Sequence, residues 1–332
     1  MITEVQSPIP KPTNQSSPFP HDKLATLLLR FINKLKQTGR SSHTLAAYRN
    51  DLSLFSEFLI QGSYDPQNHS FDIRSYWLQF LSENGRKSQA SVRRALMSVR
   101  TFMHFLVLEK IIQSSPLLEV KSPTQPRHDL LTILPGPFRE LCLTLETQAS
   151  QGNEKSIRDW ALVLLLGFCG LKASEAALLS WGNIFFEVDI NHASSGGSLR
   201  VPGLNERVLH FGPDLSKALT LLKEVRKNLN LDVTENARLF FGYLNVSRKT
   251  RTDSMHRHGI KFVVYEVCEE ILGVPYNSES LRNHAIMKWL DQGLSVQKVA
   301  DLAGYSSLNS LDRFSLLSRG IRKSRRQTKT DI

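Results

Sequence analysis

The sequence predicts a mainly α protein of two domains: an N-terminal helical bundle, then a mixed α+β domain with a small antiparallel sheet. Three observations predict it. The chain has 332 residues, a length that favours two domains over one. Apolar residues recur at three- and four-residue spacing over most of that length, the signature of amphipathic helices. Alternation replaces that spacing only between Trp181 and Phe211. Hydrophobic residues make up 41% of the chain, which excludes a mostly disordered protein.

Residues 1–21 read as a flexible leader, because Pro8, Pro10, Pro12, Pro18 and Pro20 oppose a regular helix. Leu24, Leu27, Leu28, Phe31 and Leu35 then form one helical stripe. Gly39 ends it, and Ser41 or Ser42 is placed to cap the next helix. That helix carries Leu45, Tyr48, Leu52, Phe55 and Leu59. A third element holds Tyr76, Trp77, Phe80 and Leu81, and a fourth holds Val92, Leu96, Val99, Met103 and Leu106. Together they predict a four-helix domain over residues 22–112. Pro116, Pro123 and Pro126 make residues 113–130 a semi-extended linker.

The second domain is expected over residues 131–317. Helices are predicted at Phe138–Leu145 and Ile157–Phe168. The apolar run Trp160–Gly170 is shorter than the ~20 residues of a membrane span, so it reads as a buried core helix. Ile184, Phe186, Val188 and Ile190 alternate, followed by Leu199, Val201, Val208, Leu209 and Phe211. Gly196, Gly197 and Gly203 punctuate these runs as hairpin turns of a small sheet. Helices return at Leu215–Leu229, Ile260–Leu272, Ser280–Gly293 and Ser295–Ala303, and residues 318–332 form a basic tail.

Lys and Arg number 42 against 31 Asp and Glu, a formal charge of +11. Such a surplus points to a polyanionic partner, or serves solubility alone. Cys142, Cys169 and Cys268 form no disulfide framework, which fits a reducing cytosol. The N-terminus has no signal-peptide pattern, and no membrane partner is expected. His256 and His258, even with Asp253 and His210, make a weak metal motif; no metal and no cofactor is expected. With Arg248, Lys249, Arg251, Arg257 and Lys261 they read as a basic surface, facing either phosphates or solvent. Arg93, Arg94 and Arg100, with Arg86 and Lys87 beside them, lie on the fourth helix. Such a helix reads base edges in a major groove or is a solvated face.

Several segments carry a family resemblance. Gly39–Leu59 (GRSSHTLAAYRNDLSLFSEFL) resembles the core-binding (SAM-like) domain of the tyrosine recombinases, the phage-integrase and Xer-type family. Gly170–Trp181 (GLKASEAALLSW) is similar to the segment around the family's first active-site arginine. Glu206–Phe211 resembles its β-hairpin, and Ser280–Ser315 resembles its H-x-x-R block, L-G-H turn and tyrosine segment. The resemblance covers nearly the whole chain after residue 22. It implies a C-terminal domain of the recombinase catalytic type, and two domains that close on duplex DNA. Its chemistry is phosphoryl transfer, in which arginines hold the phosphate, a hairpin lysine protonates the leaving oxygen and a tyrosine attacks.

Carried over position by position, the match is degenerate. The first arginine falls on Lys172, the hairpin lysine on or beside Pro202, and the histidine of H-x-x-R on Glu279. The second arginine is Arg282, the L-G-H histidine falls on Tyr305, and the nucleophile falls on Phe314. Gly293 and Gly304 follow Arg282 at the family's spacing and anchor this register. Lys lacks the planar fork of Arg, Pro has no side-chain proton, and Phe has no oxygen. The resemblance therefore implies a catalytically inactive, DNA-binding homologue that serves recombination or integration as an accessory, architectural or regulatory subunit. Arg282, Lys172, Arg93, Arg94, Arg100, Arg207 and Arg257 are its candidate DNA contacts. Arg282 has a second reading, as a buried partner of Glu279 or Glu175. The implied partners are double-stranded DNA and either an active tyrosine recombinase or a second copy met through the C-terminal segment. Two rivals stand beside this: an active recombinase with a displaced Tyr305, and a transcription regulator. The latter follows from the likeness of the C-terminus to an AraC-type helix-turn-helix, with Ser306–Arg313 in the recognition helix.

Overall fold

The computed structural model describes residues 21–61, 64, 88–117, 120, 130–188, 194–203, 205–242 and 254–314. Two compact units divide at His128 and Asp129. In the first unit, α1 (His21–Gln37), α2 (Ser42–Gln61) and α3 (Gln89–Leu108) present the predicted stripes to one another. Leu24, Leu27 and Phe31 pack with Leu52, Phe55 and Leu59 and with Leu96, Val99, Phe102 and Leu106. Phe31 lies edge-on to Tyr48 and Phe102, at ring distances of 5.7 and 5.4 Å. Gly39 takes a positive φ of 76° just after α1, as its lack of a Cβ allows. Ser41, not Ser42, caps α2: its Oγ accepts from the Thr44 N–H at 3.2 Å. The element predicted around Tyr76, Trp77, Phe80 and Leu81, with Arg86 and Lys87, lies outside the described residues, as does the basic tail.

The second unit is built around α5 (Glu154–Cys169), which is apolar on nearly every face and buried along almost its whole length. A helix apolar all round must be enclosed. Enclosure comes from α4 (Pro135–Ala149), α7 (Pro213–Asn228) and α9 (Ser278–Asp291). The short helix α6 (Ala173–Ala176) follows α5. Helices α8 (Arg257–Leu272) and α10 (Val296–Ala303) and a 3-10 helix (Leu308–Phe314) complete the unit. Among the described residues no helix is long and apolar enough to cross a membrane.

Strands β1 (Ile184–Val188), β2 (Ser194–Val201) and β3 (Arg207–Phe211) form the expected antiparallel sheet, in the order β1-β2-β3. Leu199 sits opposite Ile184 on one side and Leu209 on the other, and all three side chains are buried. Gly196 and Gly197 depart from their expected role. They lie within β2, not in a turn. A Cβ on Gly197 would stand 2.4 Å from the Phe185 carbonyl oxygen and 2.6 Å from the Phe211 ring, so close approach requires the glycine.

The expected recognition helix at Ser306–Arg313 is also corrected. The chain there forms the 3-10 helix Leu308–Phe314. Leu311 and Phe314 are buried against Ile286, Leu290, Val299 and Ala303. Seven residues with the inner face packed do not make a reading helix for a major groove.

Charged groups also lie inside this unit. Arg226 is fully buried, with Nε donating to Glu154 Oε1 at 2.9 Å and Nη1 to the Leu239 carbonyl at 2.9 Å. Glu154→Ala leaves that guanidinium without its carboxylate. We expect a loss of about 3–5 kcal/mol, read as a lower urea midpoint at unchanged m-value.

Candidate functional site

The motif segments of the second unit converge on one cluster. Glu175, in α6, is its anionic centre. Arg207, the first residue of β3, donates from Nη1 to Glu175 Oε1 at 3.0 Å and from Nη2 to Oε2 at 2.9 Å. This is the bidentate fork that only arginine forms. Its Nε donates to the Leu302 carbonyl at 2.7 Å, and Nη1 also reaches the Asn205 carbonyl at 3.2 Å. Both side chains are nearly buried, at 10% and 12% exposure. Burial raises the pKa of the Glu175 carboxyl, but the Arg207 hydrogen bonds, the Lys172 N–H and the Arg282 charge together hold it below the ordinary value.

Lys172 sits at the N-terminal edge of α6. Its backbone N–H donates to Glu175 Oε2 at 2.8 Å, and its ammonium donates to the Gly304 carbonyl at 3.3 Å. Asn205 donates to the same carbonyl at 3.3 Å. Gly304 ends α10 with φ 62°. Pro202 is half-buried in the β2–β3 connection and offers no side-chain donor.

Arg282, on α9, is 1% exposed. Its Nη1 donates to the Gly170 carbonyl and its Nη2 to the Ala303 carbonyl at 2.6 Å. Its guanidinium carbon lies 5.0 Å from the Tyr305 ring centre. As the second reading expected, it is buried, and its charge acts on Glu175, while its hydrogen bonds go to the two carbonyls. It ties together the ends of α5 and α10, whose last carbonyls need donors.

Glu279 is half exposed and accepts from Arg313 Nη2 at 2.7 Å. The same nitrogen donates to the Tyr305 hydroxyl oxygen at 2.8 Å and to Asn283 Oδ1 at 3.3 Å. Phe314 is fully buried in an apolar cluster, with the Arg313 guanidinium 5.0 Å from its ring centre. Arg313 did not stand among the sequence-derived candidates, and Glu175 stood there only as a partner for Arg282. The side-chain partners found here, Glu279 for Arg313 and Arg207 for Glu175, are 34 and 32 residues away, beyond any local pattern.

A cleft of about 320 Å³ opens beside this cluster, lined by Lys172, Ser174, Arg257, Lys261, Asn277 and Glu279. Three cations face one carboxylate, and that carboxylate is already paired with Arg313. Such a cleft suits an anion. Among the described residues no group of three His, Cys, Asp or Glu side chains has metal-ligating geometry.

The sequence-derived contacts therefore divide. Lys172 and Arg257 line the basic cleft, whereas Arg207 and Arg282 are interior. The donors of Arg207 are directed to Glu175, Leu302 and Asn205 within the protein. Both terminal nitrogens of Arg282 meet carbonyls of the chain. In the first unit Arg93 is exposed and Arg100 half-buried, while Arg94 is paired with Asp51.

Two consequences are measurable. Glu175→Gln removes a carboxylate whose charged form the fold favours. Its cost at pH 7 should be about 3 kcal/mol, and the gap to the parent should close as the pH falls below the ordinary carboxylate range. The sign follows from the lowered pKa, whose stabilisation exists above the unfolded value and is lost on protonation. Gly304→Ala puts a Cβ 2.6 Å from Arg207 Nη1 at a positive φ, and should lower the melting temperature by several degrees.

Residues 28–110 match the phage integrase N-terminal SAM-like domain. The chain is 28% identical over 292 residues to a protein of Caldanaerobacter subterraneus subsp. tengcongensis named after the tyrosine recombinases, covering 87% of this chain and 92% of that one. It is 27% identical over 302 residues to the tyrosine recombinase XerC of Corynebacterium glutamicum, covering 89% of each. The fold is similar to that of the XerH site-specific recombinase in a post-cleavage complex with its difH substrate. There the TM-score is 0.69, with 14% identity, 96% of this chain and 98% of that one. It is also similar to DNA-bound lambda integrase, with TM-score 0.58, 13% identity, 86% of this chain and 93% of that one. Residues 28–110 thus match a phage integrase SAM-like domain, and along most of its length the chain is similar in sequence and fold to the tyrosine recombinases.

Proposed function

We propose that the chain binds duplex DNA without cutting it, and serves DNA recombination as an accessory, architectural or regulatory subunit. The observation that carries this reading is Phe314. At the position aligned with the family's nucleophile stands a side chain with no oxygen, fully buried among apolar neighbours. Phosphoryl transfer by this route needs a hydroxyl in line with the phosphorus. Arg282 adds support, because its fork already holds two carbonyls. Glu279 puts a carboxylate where a donor to phosphate is required. The basic cleft of Lys172, Arg257 and Lys261 supports phosphate contact. So do structural neighbours solved with DNA. An active recombinase or a second copy of the chain is the partner that this role calls for.

The displaced-nucleophile reading rests on Tyr305, whose hydroxyl lies 2.8 Å from Arg313. That arginine also holds Glu279, so the hydroxyl is tied into a network of side chains. In-line attack tolerates little misplacement.

A pool of nicked duplexes that traps covalent intermediates separates the two. No adduct is expected from the parent chain. Phe314→Tyr alone should also give none, because Lys172, Pro202 and Glu279 remain. A robust adduct at a tyrosine of the parent overturns the inactive reading. Duplex binding at low salt is expected, with a log–log salt slope of about −0.9 per phosphate contacted. Absence of binding at low salt overturns the DNA-binding reading.

A further inference from the structure

The first unit holds a charge pair that the reading above does not use. Asp51, on α2, is 1% exposed. Arg94, on α3, donates to it from Nε at 3.1 Å and from Nη2 at 2.8 Å, and Ser98 adds a hydroxyl donor at 2.8 Å. A buried carboxylate is stable only when so satisfied. The arginine it holds is different: its side chain is 55% exposed. Asp51 occupies the Nε–Nη2 edge of the fork. The Nη1–Nη2 edge stays open, and no other described residue takes Nη1. Exposed arginines ordinarily sample many rotamers and lose that freedom on binding. Arg94 is fixed beforehand.

Its surroundings are also specific. A groove of about 390 Å³ runs beside Arg94, lined by His43, Thr44, Ala47, Tyr48 and Met97. Met97 is 48% exposed. The groove thus sets an oriented double donor beside apolar surface. A guanine presents two acceptors, O6 and N7, along its major-groove edge, and a thymine presents a methyl group. The local charge argues for a base and against a phosphate. Asp51 neutralises Arg94 at contact distance, so the pair adds little to long-range attraction of a polyanion. What remains is direction.

We propose that Asp51 is a positioning residue that holds Arg94 as a preset fork for a guanine edge, giving the α2–α3 face sequence preference in duplex DNA. This deepens the DNA-binding reading and rests on it. The probe is a random pool of duplexes bound by the full-length chain, with the enriched motif, salt slope and unfolding midpoint read together. The parent should enrich a motif with a fixed guanine. Arg94→Lys keeps the charge and loses the fork, so it should relax that position by about tenfold or more at an unchanged salt slope. Asp51→Asn should relax the same position although Arg94 is retained, a result that a purely structural role would not produce. Ser98→Ala loosens Asp51 without touching either charge and should relax it partially. Arg94→Lys and Ser98→Ala carry the test should Asp51→Asn fail to fold. An unchanged motif in Arg94→Lys overturns this proposal alone. So does an even loss of affinity across all sequences in Arg94→Ala, with the slope reduced by about one, which marks a phosphate contact. Absence of any binding by the parent overturns both readings.

Discussion

The two oxygens of Glu175 and the guanidinium of Arg207 hold the C-terminal unit together where its motif segments meet. A carboxylate this enclosed demands a partner, and arginine supplies one with two parallel hydrogen bonds. The partnership fixes more than itself. Arg207 begins β3 and also reaches the Leu302 carbonyl, so the hairpin is bound to the end of α10. Glu175 accepts from the Lys172 backbone, so α6 starts where the carboxylate dictates. Gly304 then lies too close to Arg207 for any side chain. One ion pair thereby sets the positions of three motif segments distant in sequence.

Much of the fold was legible because helix periodicity is a local property. Leu24 to Leu35, Leu45 to Leu59 and Val92 to Leu106 each declare one face, and each such face is largely buried in the structure. The apolar run from Trp160 declares itself in the same way. Helix α6, at four residues, is too short to show a period. Gly196 and Gly197 misled for a different reason. Glycine marks a turn and a close backbone approach with the same letter, and only the neighbouring strands decide between them. The site was legible in identity and partly illegible in arrangement. Lys172, Glu279, Arg282, Tyr305 and Phe314 were found from motif order, but which group each one holds depends on contacts between distant segments. Arg313 bridges Glu279, Asn283 and Tyr305, and nothing near it in the chain announces that role.

The arginines illustrate why a net charge of +11 is a weak guide to a surface. Arg207, Arg226 and Arg282 are interior groups that satisfy carboxylates or carbonyls. They contribute to the count and bind structure. Lys172, Arg257 and Lys261 line an open cleft, where Lys172 also reaches the Gly304 carbonyl and lies 3.7 Å from Glu175 Oε1. Arg94 belongs to neither class, since one edge of its fork faces a buried aspartate while over half of its side chain is open. The same residue type is brace, attractor or pointer according to what surrounds it.

Phe314 carries a consequence for what the fold tolerates at that position. Its ring fills an enclosed apolar space between Ile286, Leu290, Val299 and Leu311. A hydroxyl introduced there would have to find a partner or pay for desolvation in a setting without water. Releasing Arg282 for a phosphate would strip donors from the ends of two helices. Either change would weaken the packing or the helix ends that meet here. The identities of Phe314 and Arg282 are thus tied to the stability of the C-terminal unit, through an apolar ring seat for one and two carbonyls for the other.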